Sequence, residues 1–192
     1  MLLLEFAPQP LRILRTRSIS GISMVGSGVA FGSELGWLVF GVIEGLVVVV
    51  VTAGITAVFT GMQFVLVLPN RKRGEAGWVG LWAVVLVVAF AVGSLGAVLV
   101  IAVLVSMGPQ VWTVWRSDDV SGVSAARWAF GGLSGLLWGT YGLLLGQFTL
   151  VGSGVVALTC SVAVLVRLAR GRRLGPSDPV GPPDVPPIPH GV

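Results

Sequence analysis

From Gly77 to Met107 the chain runs 31 residues without one charged side chain. A single helix of that length would be about 46 Å long, far beyond a hydrocarbon core of about 30 Å. Gly93-Ser94 offers a turn that divides the run into two spans, about 78–92 and 95–110. The rest of the chain reads alike. It is 55% apolar and only 10% charged, with a mean hydropathy of +0.95, whereas a soluble domain carries about 25% charged residues. A soluble fold of 192 residues could not bury so much apolar sequence. The surface must face lipid, and the expected class is an all-α integral membrane protein whose first partner is the bilayer.

The same reading gives four further spans, about 23–43, 46–68, 126–145 and 148–166, so six in all. All twelve Lys and Arg residues fall into four groups: Arg12/Arg15/Arg17, Arg71/Lys72/Arg73, Arg116 with Arg127, and Arg167/Arg170/Arg172/Arg173. An even number of crossings separates each group from the next. All four then lie on one side, and the turns near Gly45, Gly93 and Gly146 carry no Lys or Arg. That is the positive-inside pattern. It predicts a multi-pass protein of the plasma membrane with its basic loops and C-terminal tail in the cytoplasm. It also accounts for the basic pI of about 10.6 without a nucleic-acid partner. Arg12, Arg15 and Arg17 read as a short basic loop, and Trp115 to Asp119 as a polar one. The Pro- and Gly-rich residues 171–192 cannot build a core and read as a disordered tail.

An internal duplication at a constant offset of 101 organises the spans. Pro8-Gln9 matches Pro109-Gln110, Arg15 matches Arg116, and Ser20-Gly21-Ile22-Ser23 matches Ser121-Gly122-Val123-Ser124. Trp37 matches Trp138, and Phe40-Gly41 matches Tyr141-Gly142. Agreement at Pro, Gln, Arg and Trp in one register does not arise from a Val-, Leu- and Gly-rich composition. Each unit is a span ending in Pro-Gln, a basic loop and two spans joined by a tight turn. Two odd-numbered units run parallel only if an extra span joins them, and 78–92, which has no mate, fits as that linker. The expected division is 1–68 for the first repeat, 69–93 for the loop and linker, and 94–170 for the second repeat. The span that should precede Pro8 is nearly absent. Either the start is assigned too late or the first unit begins after it, and Leu2-Leu3-Leu4 resembles the end of such a helix.

The Pro-Gln pairs, the Ser-Gly-Val-Ser box and Trp138 with Tyr141-Gly142 resemble the PQ-loop superfamily. Three spans, a linker and three spans resemble its SWEET sugar transporters, with six spans here of an expected seven. The half-sized SemiSWEETs carry one such unit per chain. The resemblance covers roughly residues 1–170 and is better in the second copy. It implies alternating access around a pathway near the midplane, for a small polar solute such as a mono- or disaccharide. It also implies that Pro8, Pro109 and Gln110 form the hinges, since a proline inside a helix removes a hydrogen bond and kinks it. A proline merely closing a helix is the plainer alternative. Trp37 and Trp138 align with the family's pocket tryptophan, whose indole face suits a sugar ring; interfacial packing is the plainer alternative.

One departure stands out. The family usually carries Asn sixteen residues after that tryptophan, where this chain has Ala53 and Gly154. Thr52 and Ser153 lie just before and offer hydroxyls, with one donor each where an amide has two. The solute-binding candidates are therefore Trp37, Trp138, Thr52, Ser153 and Gly154. Glu34 is an acid in mid-span and reads as a proton or cation site, or as an acid satisfied by its neighbours. Its repeat mate is Gly135. Glu44, at the Gly45 turn, reads as solvated. The glycines 26, 28, 32 and 36 of one span, and 131, 132, 135 and 139 of the span that repeats it, read first as helix packing. Trp78, Trp82, Trp112, Trp115 and Trp128 read as interface anchors. Cys160 reads as a buried small hydrophobe.

No residue set suggests an enzyme, a cofactor or a metal: the one His, His190, is in the tail, and no Cys pair exists. Three readings remain. They are a facilitative carrier of a small polar solute, a proton-linked carrier of amino-acid type using Glu34, and a non-transporting membrane protein. A homo-oligomer is compatible with each.

Overall fold

The computed structural model describes residues 8–16, 23–70, 72, 74–117, 120 and 123–173. Outside these lie Leu2-Leu3-Leu4, Arg17, the first three residues of the Ser20–Ser23 box, Arg71, Arg73, Asp118-Asp119, Ser121-Gly122 and the Pro-rich tail beyond Arg173. Among the described residues the chain is all-helical. The helices are α1 (Pro8–Thr16), α2 (Met24–Ile43), α3 (Val47–Val67), α4 (Glu75–Ala91), α5 (Leu95–Arg116), α6 (Ala125–Leu145) and α7 (Phe148–Arg173), with a 3-10 turn at Leu68–Asn70. Helices α2, α3, α5 and α7 are long and apolar enough to cross a membrane. The linker α4 is shorter, at 17 residues, the low end of the spanning range. Helix α6 matches the others in length with 21 residues, and its glycines and aromatic residues dilute its hydropathy.

Three helix ends are built alike. Gly45, Gly93 and Gly146 take φ of +67°, +70° and +67°, a left-handed conformation that costs other residues about 1 kcal/mol or more. In each case the next residue's N–H reaches back five positions: Leu46 to the Gly41 carbonyl, Ser94 to Ala89, and Gln147 to Gly142, at 2.7–2.8 Å. This six-to-one bond with its inner partner satisfies the orphan carbonyls of a helix end. Such tight turns need little polar chain.

Helix starts explain part of the repeated serine box. Its last residue caps the second helix of each unit. Ser23 Oγ accepts from the Gly26 N–H at 3.1 Å, and Ser124 Oγ accepts from the Arg127 N–H at 3.3 Å. Two readings of loops need correction. Arg12 and Arg15 lie in α1, and α5 continues through Trp115 to Arg116. Charge marks where the chain leaves the lipid; it does not end a helix whose backbone bonds can continue into water. For the same reason α7 runs on through Arg167 and Arg170 to Arg173.

Contacts divide the chain into two compact units, Met1–Val103 and Leu104–Val192, with the boundary inside α5. In the first, α3 packs against both α1 and α2, and α4 packs against α2. Ile13, Met24 and Val67 form a buried cluster with Phe64, Leu66, Leu68 and Val79 around it. In the second, α7 packs along α6 and also meets the end of α5. Val114, Trp128, Cys160, Val164 and Leu168 form that core. The third helix of each repeat thus touches the other two, the same layout in both copies. Trp128 is therefore a core residue, 6% exposed. Large apolar side chains on the outside, such as Val84, Val87 and Leu144, are well exposed, as a lipid-facing surface requires.

The glycine stripes do pack, but on different partners. A Cβ added at Gly28 would meet Val79 of α4, one at Gly32 would meet Trp82, and one at Gly36 would meet Leu99 and Leu86. The first stripe therefore seats the linker helix. Trp82 Nε1 also donates to Ser33 Oγ at 3.2 Å, so Trp82 is a contact between helices and not only an interface anchor. In the second unit the stripe seats α7. A Cβ at Gly135 would lie 2.8 Å from the Gly154 carbonyl oxygen, and one at Gly142 would lie 2.7 Å from the Val151 nitrogen.

Candidate solute-binding site

Each unit presents the expected tryptophan in the same setting. Trp37 stands edge-on to Phe40, with ring centroids 5.7 Å apart at 89°. Trp138 stands in the same way to Tyr141, at 6.0 Å and 72°. An i, i+3 spacing brings such rings together on one helix face. Both tryptophans are only partly buried, so each keeps surface for a ligand.

Thr52 donates back to its own helix, to the Val48 carbonyl at 2.7 Å and the Val49 carbonyl at 3.1 Å. Ser153 does likewise, to the Thr149 carbonyl at 2.9 Å. Their hydroxyls keep lone pairs as acceptors and have no spare donor in this arrangement. Ala53 is buried. Gly154 sits against α6: a Cβ there would lie 2.5 Å from the Gly135 oxygen and 2.5 Å from the Gly139 nitrogen. Two helix backbones touch at this point, which only glycine allows.

Glu34 lies between α2 and α3. Its Oε2 accepts from Thr56 Oγ1 at 2.5 Å, a short bond of the charge-assisted kind. The Thr56 hydroxyl also lies 3.0 Å from the Thr52 carbonyl and 3.1 Å from the Ala53 carbonyl, so one proton faces three acceptors. Further along the same interface, Thr60 donates to the Thr56 carbonyl at 2.9 Å. Gln63 Nε2 donates to Ser27 Oγ at 2.9 Å, and Ser27 donates to the Ser23 carbonyl at 2.9 Å. Thr52, Thr56, Thr60 and Gln63 thus form one polar row on α3 facing Ser27 and Glu34 on α2. Sequence reasoning singled out Thr52 and Glu34 and missed the rest. The signal was there: Thr at 52, 56 and 60 keeps a helical four-residue period inside a Val- and Ala-rich segment.

The hinge candidates separate. Pro8 is the first described residue of α1. Pro109 lies well inside α5, where it withholds the N–H that would bond the Val105 carbonyl. Pro109 and Gln110 are both exposed. With Thr113 and Val114 they line an open groove of about 310 Å³. At the end of the same helix the Arg116 guanidinium lies 4.1 Å from the centre of the Trp112 ring, and Arg167 donates to the Ser117 carbonyl at 2.9 Å.

These features define an all-α, multi-pass membrane protein with a duplicated helical unit. No family model and no curated protein matches the chain by sequence. Its fold does have a counterpart among solved structures. The 3.7 Å structure of a eukaryotic SWEET transporter matches over 90% of this chain and 91% of that one, with a TM-score of 0.70 at 22% identity. The chain therefore has the SWEET fold.

Proposed function

We propose that this protein is a membrane transporter of the SWEET type, moving a small polar solute by alternating access. The observation that carries the reading is the match of nearly the whole chain to a SWEET transporter's fold. A mono- or disaccharide is the first substrate class. In this reading Trp37 and Trp138 stack on the solute, Thr52 and Ser153 accept hydrogen bonds from it, and Gly154 sets the close helix approach behind them. Pro109 with Gln110 is the hinge of α5, and Pro8 its counterpart at the start of α1. The basic groups lie on the cytoplasmic side of the plasma membrane, and the work is transport, not catalysis.

A second reading is favoured by the bond between Glu34 and Thr56: a carrier linked to protons or cations through Glu34. Uptake into proteoliposomes separates the two. Loss of glucose or sucrose uptake in Trp138→Ala, with Glu34→Gln unaffected, supports the first. The opposite split, with uptake driven by a pH gradient, supports the second. Absence of uptake for every solute tried would refute both.

A further inference from the structure

We propose that the charged end of the second unit binds an anionic phospholipid. Arg116, Arg167 and Arg170 surround its phosphate, and one acyl chain lies in the groove beside Pro109. This goes beyond the transport reading and does not depend on it. The argument begins with packing. Val114 of α5, Trp128 of α6 and Leu168 of α7 meet in one buried cluster. Arg116, Arg127, Arg167 and Arg170 each stand within two residues of one of these three. The fold therefore gathers four guanidinium groups at one end of one unit. Arg167 ties that end together by donating to the Ser117 carbonyl, next to Arg116, at 2.9 Å. Arg170 follows Arg167 by three residues and so lies beside it on α7. Arg116, Arg127 and Arg170 are exposed, and Arg167 is half-buried.

Charge and shape specify the partner. Asp118 and Asp119 are the only acids between Leu95 and Arg173. Were each to neutralise one arginine, two of the four would still lack a counter-charge. A guanidinium presents its N–H donors as a planar fork that matches phosphate oxygens. The Arg116 guanidinium lies 4.1 Å from the centre of the Trp112 ring. That attraction acts through its charge, so the fork still serves an anion. Trp112 and Trp115 are 60% and 42% exposed, as befits rings at the headgroup level. Pro109, Thr113 and Arg116 fall at i, i+4 and i+7, on one face of α5. The groove of about 310 Å³ along Pro109, Gln110, Thr113 and Val114 thus starts about one turn from Arg116, on its membrane side. A basic rim above an intramembrane groove has the layout of a phospholipid. A free phosphate would use only the rim.

The first unit does not repeat the arrangement. At the positions of Trp112, Arg127, Arg167 and Arg170 it has Leu11, Gly26, Leu66 and Pro69, and only Arg15 answers Arg116. Topology asks only that basic residues lie on one side; it does not ask that they crowd three packed helix ends. In the orientation proposed above this end faces the cytoplasm, whose leaflet carries the anionic lipids.

The test is native mass spectrometry of the full chain, released from micelles containing equal amounts of dioleoylphosphatidylglycerol and dioleoylphosphatidylcholine. Retention of one phosphatidylglycerol is expected, preferred over phosphatidylcholine by at least about fivefold, since each arginine near an anionic headgroup contributes about that factor. Arg116→Gln with Arg170→Gln should bring the preference to about twofold or less. Asp118→Asn with Asp119→Asn should raise it, and Arg15→Gln in the first unit should leave it unchanged. Thermal melts check that each variant is folded. Excess inorganic phosphate should not displace the lipid. Equal retention of the two lipids, an unchanged preference in the folded Arg116→Gln/Arg170→Gln variant, or an equal loss in Arg15→Gln would each overturn the proposal. Displacement by inorganic phosphate would overturn it in favour of a free-anion site.

Discussion

Replacing Gly154 with alanine tests the closest approach at any glycine among the described residues. The new Cβ would lie 2.5 Å from two α6 backbone atoms, the Gly135 oxygen and the Gly139 nitrogen. Ordinary contact needs roughly 3.4 Å, so α6 and α7 would have to part by almost 1 Å along much of their shared face. Overpacking a tight core costs about 1–3 kcal/mol, and contact with backbone, which cannot rotate away, places this case near the top. Alanine returns about 1 kcal/mol of helix propensity over glycine. The expected net loss is about 2 kcal/mol, a fall in melting temperature of roughly 4–8 °C for a chain of this size. Cys160 supplies the assay. It is the chain's single thiol and lies buried in α7 of the same unit, so a thiol-reactive dye reports its exposure on heating. Gly139→Ala is the matched control, because its Cβ would meet only the Gly154 Cα at 3.8 Å; it should melt at or above the parent temperature. Equal melting temperatures for Gly154→Ala and the parent would refute the backbone-contact argument.

Three further outcomes follow from the same reasoning. Ser23→Ala and Ser124→Ala each remove an N-cap and should each cost about 1 kcal/mol, read as a lower midpoint in chemical denaturation. Trp82→Phe keeps the ring against Gly32 and deletes only the hydrogen bond to Ser33, so it should cost about 0.5–1.5 kcal/mol, measured by the same titration. Pro109→Ala restores a helix hydrogen bond within α5; it should raise the melting temperature and slow solute exchange, and faster exchange would count against a hinge at this residue.

Much of the fold was legible in the sequence because apolar length and glycine placement are strong local signals. The turns at Gly45, Gly93 and Gly146 were placed from glycine between apolar runs, and all three carry positive φ. The offset of 101 reappears as matched geometry, in the Trp37–Phe40 and Trp138–Tyr141 pairs and in the two serine caps. Helix ends at the basic groups were misplaced, since polarity reports membrane depth while the helix continues past it. Partners of the glycine stripes could not be read, because a stripe shows that something packs closely and does not say which helix does. The polar row on α3 was missed for a related reason. Thr56, Thr60 and Gln63 gain meaning only once α2 brings Glu34 and Ser27 opposite them.

The most direct test of the transport reading is counterflow. Proteoliposomes holding the purified chain are loaded with unlabelled solute and exposed to trace label of the same compound, with glucose and sucrose tried in turn. A carrier that exposes one site alternately to each side predicts a transient accumulation of label above equilibrium for at least one of them, abolished in the Trp37→Ala/Trp138→Ala double variant. Label entry no faster than into protein-free vesicles, for both solutes, would contradict the account.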